Sequence, residues 1–270
     1  MAHLSLRGHP LGCIHGVLFD KDGTLSHSEP HLIDLADARI QESLRVFASR
    51  GAPSSTLIQL ETLLKRAMGR SDSGVVPDGT LAIASRQHNV LSTATIFGLF
   101  DVSWPQALLL AEDVFNAVDK INTLPATGPH ANARMPLPHS RELLEQLHNA
   151  GVVCAVISND TRHGIRQFLQ DHDLSQFITA IWSADDTPSK PDPQAVHGLC
   201  EALNLDPKEC ALIGDADSDL LMARRAGIAC ALGYVSGWLQ TPELTAHHHL
   251  IHHWQELNIE REQQKHPLKS

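Results

Sequence analysis

Short apolar runs alternate with segments of helical spacing from residue 139 onward. The runs at residues 152–157, 178–182, 210–213 and 228–232 are separated by stretches with apolar residues three or four positions apart. Strands that alternate with helices are joined by right-handed crossovers, and such strands lie parallel. Continuous apolar strands are typical of sheets covered on both faces. The pattern therefore predicts an α/β fold with a doubly wound parallel sheet.

A long stretch with little strand character interrupts this alternation. The apolar run at residues 16–19 predicts a first strand, but apolar residues then recur at helical spacing as far as residue 121. The proline-rich segment between residues 124 and 138 predicts a linker. We therefore predict a core of residues 1–27 and 136–270, with an inserted all-helical domain of residues 28–135.

Two carboxylates directly follow the first predicted strand. Asp20 and Asp22 flank Lys21, and Gly23 and Thr24 come next. In an open α/β sheet, ligands bind beyond the carboxyl ends of the strands. Strand alternation directs Asp20 and Asp22 to one side and Lys21 to the other, so no role is expected for Lys21. Two carboxylates there suit a divalent cation, a nucleophile or an acid–base pair, whereas a helix-capping turn is the alternative.

Three later strand ends also carry polar groups. Ser158 and Asn159 follow the run 152–157, where a hydroxyl and backbone N–H groups can hold phosphate oxygens or simply cap a helix. Lys190 lies in a proline-flanked segment and is directed either inward or into solvent. The segment from Asp215 to Asp219 contains three acidic residues at a strand–helix junction, and a divalent cation would balance their charge.

Composition narrows the classes of partner. The chain has 21 Lys plus Arg against 31 Asp plus Glu, a formal net charge of −10, which disfavours nucleic acid and anionic membrane surfaces. Five cysteines, an odd number without close spacing, favour reduced thiols. The sequence shows neither a bilayer-length apolar stretch nor a signal-peptide pattern. We therefore expect a cytoplasmic protein without a nucleic acid or membrane partner.

Taken in order, these residues resemble the four motifs of the haloacid dehalogenase superfamily of phosphotransferases. The segment from Asp20 to Thr24 matches the first motif, Ser158 the second, Lys190 the third, and Gly214 through Asp219 the fourth. The inserted segment is similar in position to the helical cap of that family. The chain is most similar to the phosphoglycolate phosphatase-like subgroup, and the resemblance implies a Rossmann-like core with a helical cap.

The resemblance implies hydrolysis of a small phosphomonoester, with 2-phosphoglycolate as a candidate substrate. It implies that Asp20 is the nucleophile that forms an aspartyl-phosphate, and that Asp22 is the general acid and base. Lys190 would neutralise charge on the transferring phosphoryl group. A sugar phosphomutase, which uses the same core residues, and a non-catalytic phosphate-binding module are the alternatives.

The resemblance also implies a ligand set. The cofactor would be Mg²⁺, and its ligands would be Asp20, the backbone carbonyl of Asp22, Asp215 and, through a water or Lys190, Asp219. Ser158, Asn159 and Thr24 would bind the substrate phosphate. A separate expectation concerns Arg70, the one cation in the segment 69–79, which either binds a substrate carboxylate or is a solvated residue at a helix end.

Overall fold

The structure is a computed structural model that describes residues 2–122 and 134–261. Its strands are β1 (Ala2–Leu6), β2 (His9–Ile14), β3 (Gly16–Phe19), β4 (Ser26–His27), β5 (Arg70–Ser71), β6 (Gly74–Val75), β7 (Met135–Pro136), β8 (Val153–Ile157), β9 (Ala180–Trp182), β10 (Cys210–Gly214), β11 (Cys230–Tyr234), β12 (His249–Ile251) and β13 (Leu257–Arg261). Its α-helices are α1 (Glu29–Ser49), α2 (Ser54–Met68), α3 (Thr80–Ile83), α4 (Arg86–Gly98), α5 (Trp104–Asn122), α6 (Ser140–Asn149), α7 (Arg162–Asp171), α8 (Pro193–Ala202) and α9 (Asp217–Arg225).

The described residues form two compact units. Unit 1 contains residues 2–26, 136–237 and 243–261, and unit 2 contains residues 27–122, 134–135 and 238–242. Most of the segment predicted as a linker, residues 123–133, lies outside the described residues. The chain therefore returns to unit 2 a second time, through the segment Trp238–Pro242.

Unit 1 is built on a six-stranded sheet in the order β12-β11-β10-β3-β8-β9. Every neighbouring pair in this sheet is parallel. Successive side chains of a strand face opposite sides of a sheet, and in β3 Val17 and Phe19 join one apolar cluster while Leu18 joins another. Residues of α6 and α7 belong to the first cluster, and residues of α8 and α9 belong to the second. Both faces are therefore covered by helices, which confirms the predicted doubly wound parallel fold.

A second sheet of unit 1 was not predicted. Strands β13, β1 and β2 form a three-stranded antiparallel sheet in that order, with Leu4 opposite Ile259. Trp254–Glu256 is a single 3-10 turn, and the strand β13 begins at Leu257. Trp254 stacks on Tyr234 with ring centroids 4.1 Å apart, so this turn belongs to the apolar core beside the sheet.

Unit 2 is mainly helical. Helix α1 packs on α2 and α5, and α4 packs on α5 and α2 around a shared apolar cluster. Helix α2 ends at Met68 and is capped by Gly69, whose φ of 72° is the left-handed conformation that glycine adopts without strain. The segment that follows is a small antiparallel hairpin of β5 and β6, so the expectation of an all-helical insert needs this correction. Within the segment of helical spacing, residues 80–98 form two helices, α3 and α4.

The segment Trp238–Pro242 is bound into unit 2 by a buried carboxylate and a buried ring. Glu29, at the start of α1, accepts a hydrogen bond from the Leu239 N–H at 2.7 Å and another from the Val75 N–H at 2.9 Å. Trp238 is buried in the apolar cluster of the helices. A buried carboxylate needs such donors, because leaving it without them costs several kcal/mol, on the order of 1–3 per unmade bond.

Among the helices of the described residues, none is long and apolar enough to cross a membrane. All five cysteines carry free thiols, and Cys13 is exposed while the other four are buried. Burial raises the pKa of the Cys154 thiol to about 12, so this thiol stays protonated at neutral pH.

Candidate active site

The register of the parallel sheet brings three strand ends together. Phe19, the last residue of β3, is paired with Ile213 of β10 on one side and with Val156 of β8 on the other. The backbone N–H of Asp20 continues the ladder by donating to the Ile213 carbonyl at 2.8 Å. The residues that follow each strand, Asp20, Asp215 and Ser158, therefore leave the sheet at the same edge.

A buried ammonium joins two of the carboxylates at this edge. Lys190 Nζ lies 2.6 Å from Asp20 Oδ1 and 2.9 Å from Asp219 Oδ1, and it also donates to the Ile157 carbonyl at 3.2 Å. Only 3% of the Lys190 side chain is exposed. Asp20, Asp215 and Asp219 are all buried, and one carboxylate oxygen of each lies within 4.8 Å of the others. The inward orientation of Lys190, which the sequence left open, is thus established.

The shared burial shifts two pKa values. Burial raises the pKa of Asp20 to about 6, with Lys190 opposing the shift and Asp219 adding to it. Burial alone would lower the pKa of Lys190, but Asp20 and Asp219 outweigh it and raise that pKa above its ordinary value. At neutral pH, Asp20 is therefore a carboxylate and Lys190 an ammonium, which is the state that a nucleophile and its counter-charge require.

A tight turn follows Asp20 and turns the chain away from the strand direction. The Lys21 carbonyl accepts hydrogen bonds from the N–H groups of residues 24, 25 and 26 at 3.3, 2.9 and 2.8 Å. Gly23 has a φ of 76°, which explains why glycine stands there. The buried Thr24 hydroxyl donates to Asp215 Oδ1 at 3.0 Å. Thr24 thereby orients a carboxylate, and its expected contact with substrate stays a prediction.

Lys21 was expected to lie on the opposite strand face from the site, and that expectation is wrong. Lys21 Nζ lies 2.5 Å from Asp22 Oδ1 and 3.1 Å from Asp160 Oδ2. The alternation argument fails because the strand ends at Phe19 and the turn begins directly after it. Asp160 was also missed, although a cation placed beside two acidic residues needs a partner once it is buried.

The segment after β8 presents the predicted phosphate-binding groups. Ser158 is buried, its backbone N–H donates to the Trp182 carbonyl at 2.9 Å, and its hydroxyl accepts from the Asp160 N–H at 3.2 Å. Asn159 follows it, before Thr161 caps α7 by accepting from the Gly164 N–H at 3.1 Å. The arrangement is a polar helix entry at the same sheet edge as Asp20. The assignment of Ser158 and Asn159 to phosphate remains a prediction.

The three acidic residues after β10 divide into two groups. Asp215 and Asp219 belong to the buried carboxylate cluster. Asp217 instead accepts hydrogen bonds from the Thr245 N–H at 2.7 Å and the Ala246 N–H at 2.9 Å, so it anchors a loop. A Cβ atom on Gly214 would lie 2.8 Å from Asp219 Oδ2, which explains why the strand ends in glycine. The sequence pattern alone did not distinguish Asp217 from its neighbours.

Gly237 is a further residue of the site that sequence reasoning missed. A Cβ atom there would overlap the Gly23 carbonyl oxygen, at 1.7 Å. We expect Gly237→Ala to displace the turn after Asp20, lowering the free energy of unfolding by about 2 kcal/mol, as overpacking does. Thermal denaturation measures this change. Gly98→Ala is the control, since nothing lies within 4 Å of its Cβ position, and an equal effect of both substitutions would contradict the prediction.

Arg70 belongs to unit 2, in strand β5. Its guanidinium forms a bidentate pair with Asp37, with Nε and Nη2 each 3.1 Å from a carboxylate oxygen. Arg70 also lines a cavity of about 230 Å³ together with Lys65, Ser71 and Asp72. It is therefore not the solvated helix-end residue of the alternative interpretation. A role in binding substrate stays a prediction.

Known proteins are similar to this chain in sequence and in fold. The chain is 29% identical over 214 residues to a phosphoglycolate phosphatase of Vibrio vulnificus, covering 79% of this chain and 80% of that protein. It is 26% identical over 226 residues to a phosphoglycolate phosphatase of Yersinia pestis, covering 83% and 82%. The crystal structure of a predicted phosphoglycolate phosphatase from Haemophilus somnus superimposes with a TM-score of 0.60 at 17% identity, covering 88% and 93%.

A family model gives the assignment. The model of haloacid dehalogenase-like hydrolases matches residues 14–227, a span that includes the whole cluster from Asp20 to Asp219. The resemblance inferred from the four sequence motifs is thereby confirmed. The chain belongs to the haloacid dehalogenase-like hydrolase family.

Proposed function

We propose that this hydrolase is a Mg²⁺-dependent phosphatase that cleaves a small phosphomonoester through an aspartyl-phosphate at Asp20. The observation that supports this most directly is the placement of Asp20. It is a buried carboxylate at the carboxyl edge of a parallel sheet, and it forms an ion pair with the buried ammonium of Lys190. Named relatives act as phosphoglycolate phosphatases, so 2-phosphoglycolate is the first substrate to test.

The charges of the site fit a divalent cation. The carboxylates of Asp20, Asp215 and Asp219 outnumber the ammonium of Lys190, so these four buried groups carry a net charge of two negatives when ionised. Buried charge of one sign is costly unless it is balanced, and carboxylate oxygens are the ligands Mg²⁺ prefers. We assign the ligands to Asp20, the backbone carbonyl of Asp22 and Asp215, with Asp219 in support. When bound, the ion supplies positive charge beside the phosphate oxygens.

The chain's own residues account for each bond change. Asp20 attacks phosphorus while the bond from phosphorus to the leaving oxygen breaks, and Asp22 gives that oxygen its proton. Asp22 then takes a proton from the water that attacks the aspartyl-phosphate, which frees inorganic phosphate and restores Asp20. Ser158, Asn159 and Thr24 are assigned to orienting the phosphoryl group, and Lys190 to neutralising its charge. We also propose a cytoplasmic location, which the free thiols led us to expect.

Release of inorganic phosphate is the decisive measurement. The purified chain, supplied with Mg²⁺, is tested on 2-phosphoglycolate, on 4-nitrophenyl phosphate and on a set of sugar and nucleoside monophosphates. We expect phosphate release that requires the metal and that is highest for a small anionic ester. An isomerised sugar phosphate without phosphate release would instead indicate a mutase. Phosphate binding without turnover of any ester would indicate a non-catalytic module.

Magnesium is expected to raise the melting temperature more at about pH 7.5 than at about pH 5. Because burial holds the pKa of Asp20 at about 6, the metal-free protein keeps a proton on this group at the lower pH, and proton and cation compete for it. The raised pKa also means that the metal-free fold loses stability as pH rises through 6, where the cation can compensate.

The magnesium prediction is measured by thermal denaturation with and without the ion at both pH values. Asp215→Asn is the control, since it removes a proposed ligand and should reduce the shift at both pH values. An equal shift at the two pH values in the unmodified protein would contradict the competition argument.

Substrate discrimination is assigned to Arg70. A guanidinium held in one orientation by Asp37 is suited to a carboxylate of the substrate. We expect Arg70→Ala to raise the KM for 2-phosphoglycolate by about tenfold, since a charge-assisted pair contributes about 1.5 kcal/mol, and to leave the KM for 4-nitrophenyl phosphate unchanged. Arg66→Ala is the control, since Arg66 is an exposed arginine in the last turn of α2, the helix that precedes β5. Equal changes in KM for both substrates would show that Arg70 does not recognise the substrate carboxylate.

A further inference from the structure

Lys21 occupies an unusual place for a lysine. Only 3% of its side chain is exposed, and its ammonium lies between the carboxylates of Asp22 and Asp160. The ring of Phe168 lies beside it, with its centroid 5.8 Å from Nζ. A charge removed from water in this way is stable only when it is paired. The pairing therefore constrains Lys21 and its two partners together.

The carboxylate of Asp160 is held in place by the backbone that follows it. Its Oδ1 accepts a hydrogen bond from the Thr161 N–H at 2.7 Å. Its carboxylate lies where a side chain at residue 164 would be, because a Cβ atom on Gly164 would come within 2.6 Å of Asp160 Oδ2. The first turn of α7 therefore provides the space that Asp160 needs. Asp160 Oδ2 is in turn the second carboxylate partner of Lys21, 3.1 Å from its ammonium.

The contact with Asp22 has a defined direction. An ammonium offers three hydrogen-bond donors and no acceptor, so Asp22 Oδ1, 2.5 Å away, must be the acceptor. Because the ammonium lies beside Oδ1, a proton carried by Asp22 is more stable on Oδ2. When that proton passes to the leaving oxygen, the Oδ2–H bond breaks, a new O–H bond forms, and negative charge develops on Asp22 beside Lys21. An interaction that strengthens along the reaction in this way lowers its barrier.

We propose that Lys21 is a positioning residue for the acid step: held by Asp160, it orients the carboxyl of Asp22 so that Oδ2 faces the leaving group, and it stabilises the charge left there. The inference rests on the proposed phosphatase function. It predicts a selective effect, since only esters with poor leaving groups need the proton. With an activated ester the leaving oxygen needs no proton, so the attack of Asp20 on phosphorus is then expected to be independent of Lys21.

The test is the dependence of kcat/KM on the leaving group. This ratio reports only the steps up to formation of the aspartyl-phosphate, so the later hydrolysis does not obscure it. Lys21→Met keeps the length of the side chain and removes the charge. We expect kcat/KM for an alkyl phosphate to fall by about tenfold or more relative to kcat/KM for 4-nitrophenyl phosphate, with KM nearly unchanged. A uniform fall across leaving groups would overturn the proposal.

A double-mutant comparison separates positioning from a general structural effect. In an Asp22→Asn background there is no proton to direct, so adding Lys21→Met should cause no further selective loss. A further selective loss in that background would contradict the assignment. Lys208→Met, a lysine outside this cluster at the 3-10 turn before β10, is the control for loss of a lysine charge and should change neither ratio.

The variant Asp160→Asn keeps Lys21, and it tests the positioning role if Lys21→Met does not fold. Asparagine retains an acceptor for the Thr161 N–H but loses the charge that holds the ammonium. We expect the same selective fall, smaller than for Lys21→Met, and an unchanged leaving-group dependence would overturn the inference. The two proposals fail differently. An unmodified protein that cleaves no ester refutes the phosphatase function, and this inference with it, whereas an active protein with unselective variants refutes only the role of Lys21.

Discussion

Asp20→Asn is expected to abolish turnover of every phosphate ester while leaving the fold intact. An amide is nearly the same size as a carboxylate, but it cannot form the acyl-phosphate. Removing the nucleophile of an enzyme that forms a covalent intermediate costs more than about 10⁴-fold in rate. The Lys190 ammonium keeps Asp219 and the Ile157 carbonyl as partners, so the buried charge stays paired.

The measurement is kcat for phosphate release, with circular dichroism and thermal denaturation to establish that the variant is folded. Asp171→Asn is the matched control, because Asp171 is an exposed carboxylate at the end of α7. Its turnover should equal that of the unmodified protein. Substantial turnover by a folded Asp20→Asn variant would show that another group accepts the phosphoryl.

Lys190→Met is expected to damage both the reaction and the fold. Its ammonium is the counter-charge shared by Asp20 and Asp219, and both side chains are almost fully buried. Removing one partner of a buried pair typically costs about 3 kcal/mol in the free energy of unfolding. Turnover should fall by about 10³-fold, because the positive charge beside the developing phosphoryl charge is lost.

Two further variants make the Lys190 prediction specific. Lys208→Met removes an exposed ammonium in the 3-10 turn before β10, and it should change neither the melting temperature nor the turnover appreciably. Adding Asp219→Asn to Lys190→Met removes the carboxylate that has lost its partner. This double variant should regain part of the stability and none of the turnover. Restored turnover would show that Lys190 acts only through the fold.

The sheet that carries the site follows from local features of the sequence. The apolar residues Val17, Leu18 and Phe19 predict β3, and similar short runs predict the strands on either side of it. Parallel strands place their carboxyl ends at one edge, so the proximity of Asp20, Ser158 and Asp215 could be anticipated before any coordinates. The inward orientation of Lys190 could not, because a single lysine in a loop is usually exposed and only its contacts reveal otherwise.

Features that depend on distant pairing were not predictable. Strand β2 contains Pro10 and Gly12, which disfavour strands, and it is stabilised by β1 rather than by its own composition. Strand β1 is paired in turn with β13 at the other end of the described chain. Lys21 shows the same dependence at a smaller scale. Its orientation is set by a turn in which three backbone N–H groups donate to the Lys21 carbonyl. Strand periodicity does not predict side-chain directions beyond the end of the strand.

The return of residues 238–242 to unit 2 has a consequence for how such inserts are exchanged between proteins. An insert defined as residues 27–135 alone would leave Glu29 without the Leu239 N–H and would leave an opening where Trp238 packs. A chimera that transfers only that segment into a related hydrolase should fold poorly. A chimera that also transfers Trp238–Pro242 should recover. The part of the chain that can be transferred as a folding unit is therefore discontinuous in sequence. Substitutions near Glu29 and Val75 must remain compatible with the five-residue segment Trp238–Pro242.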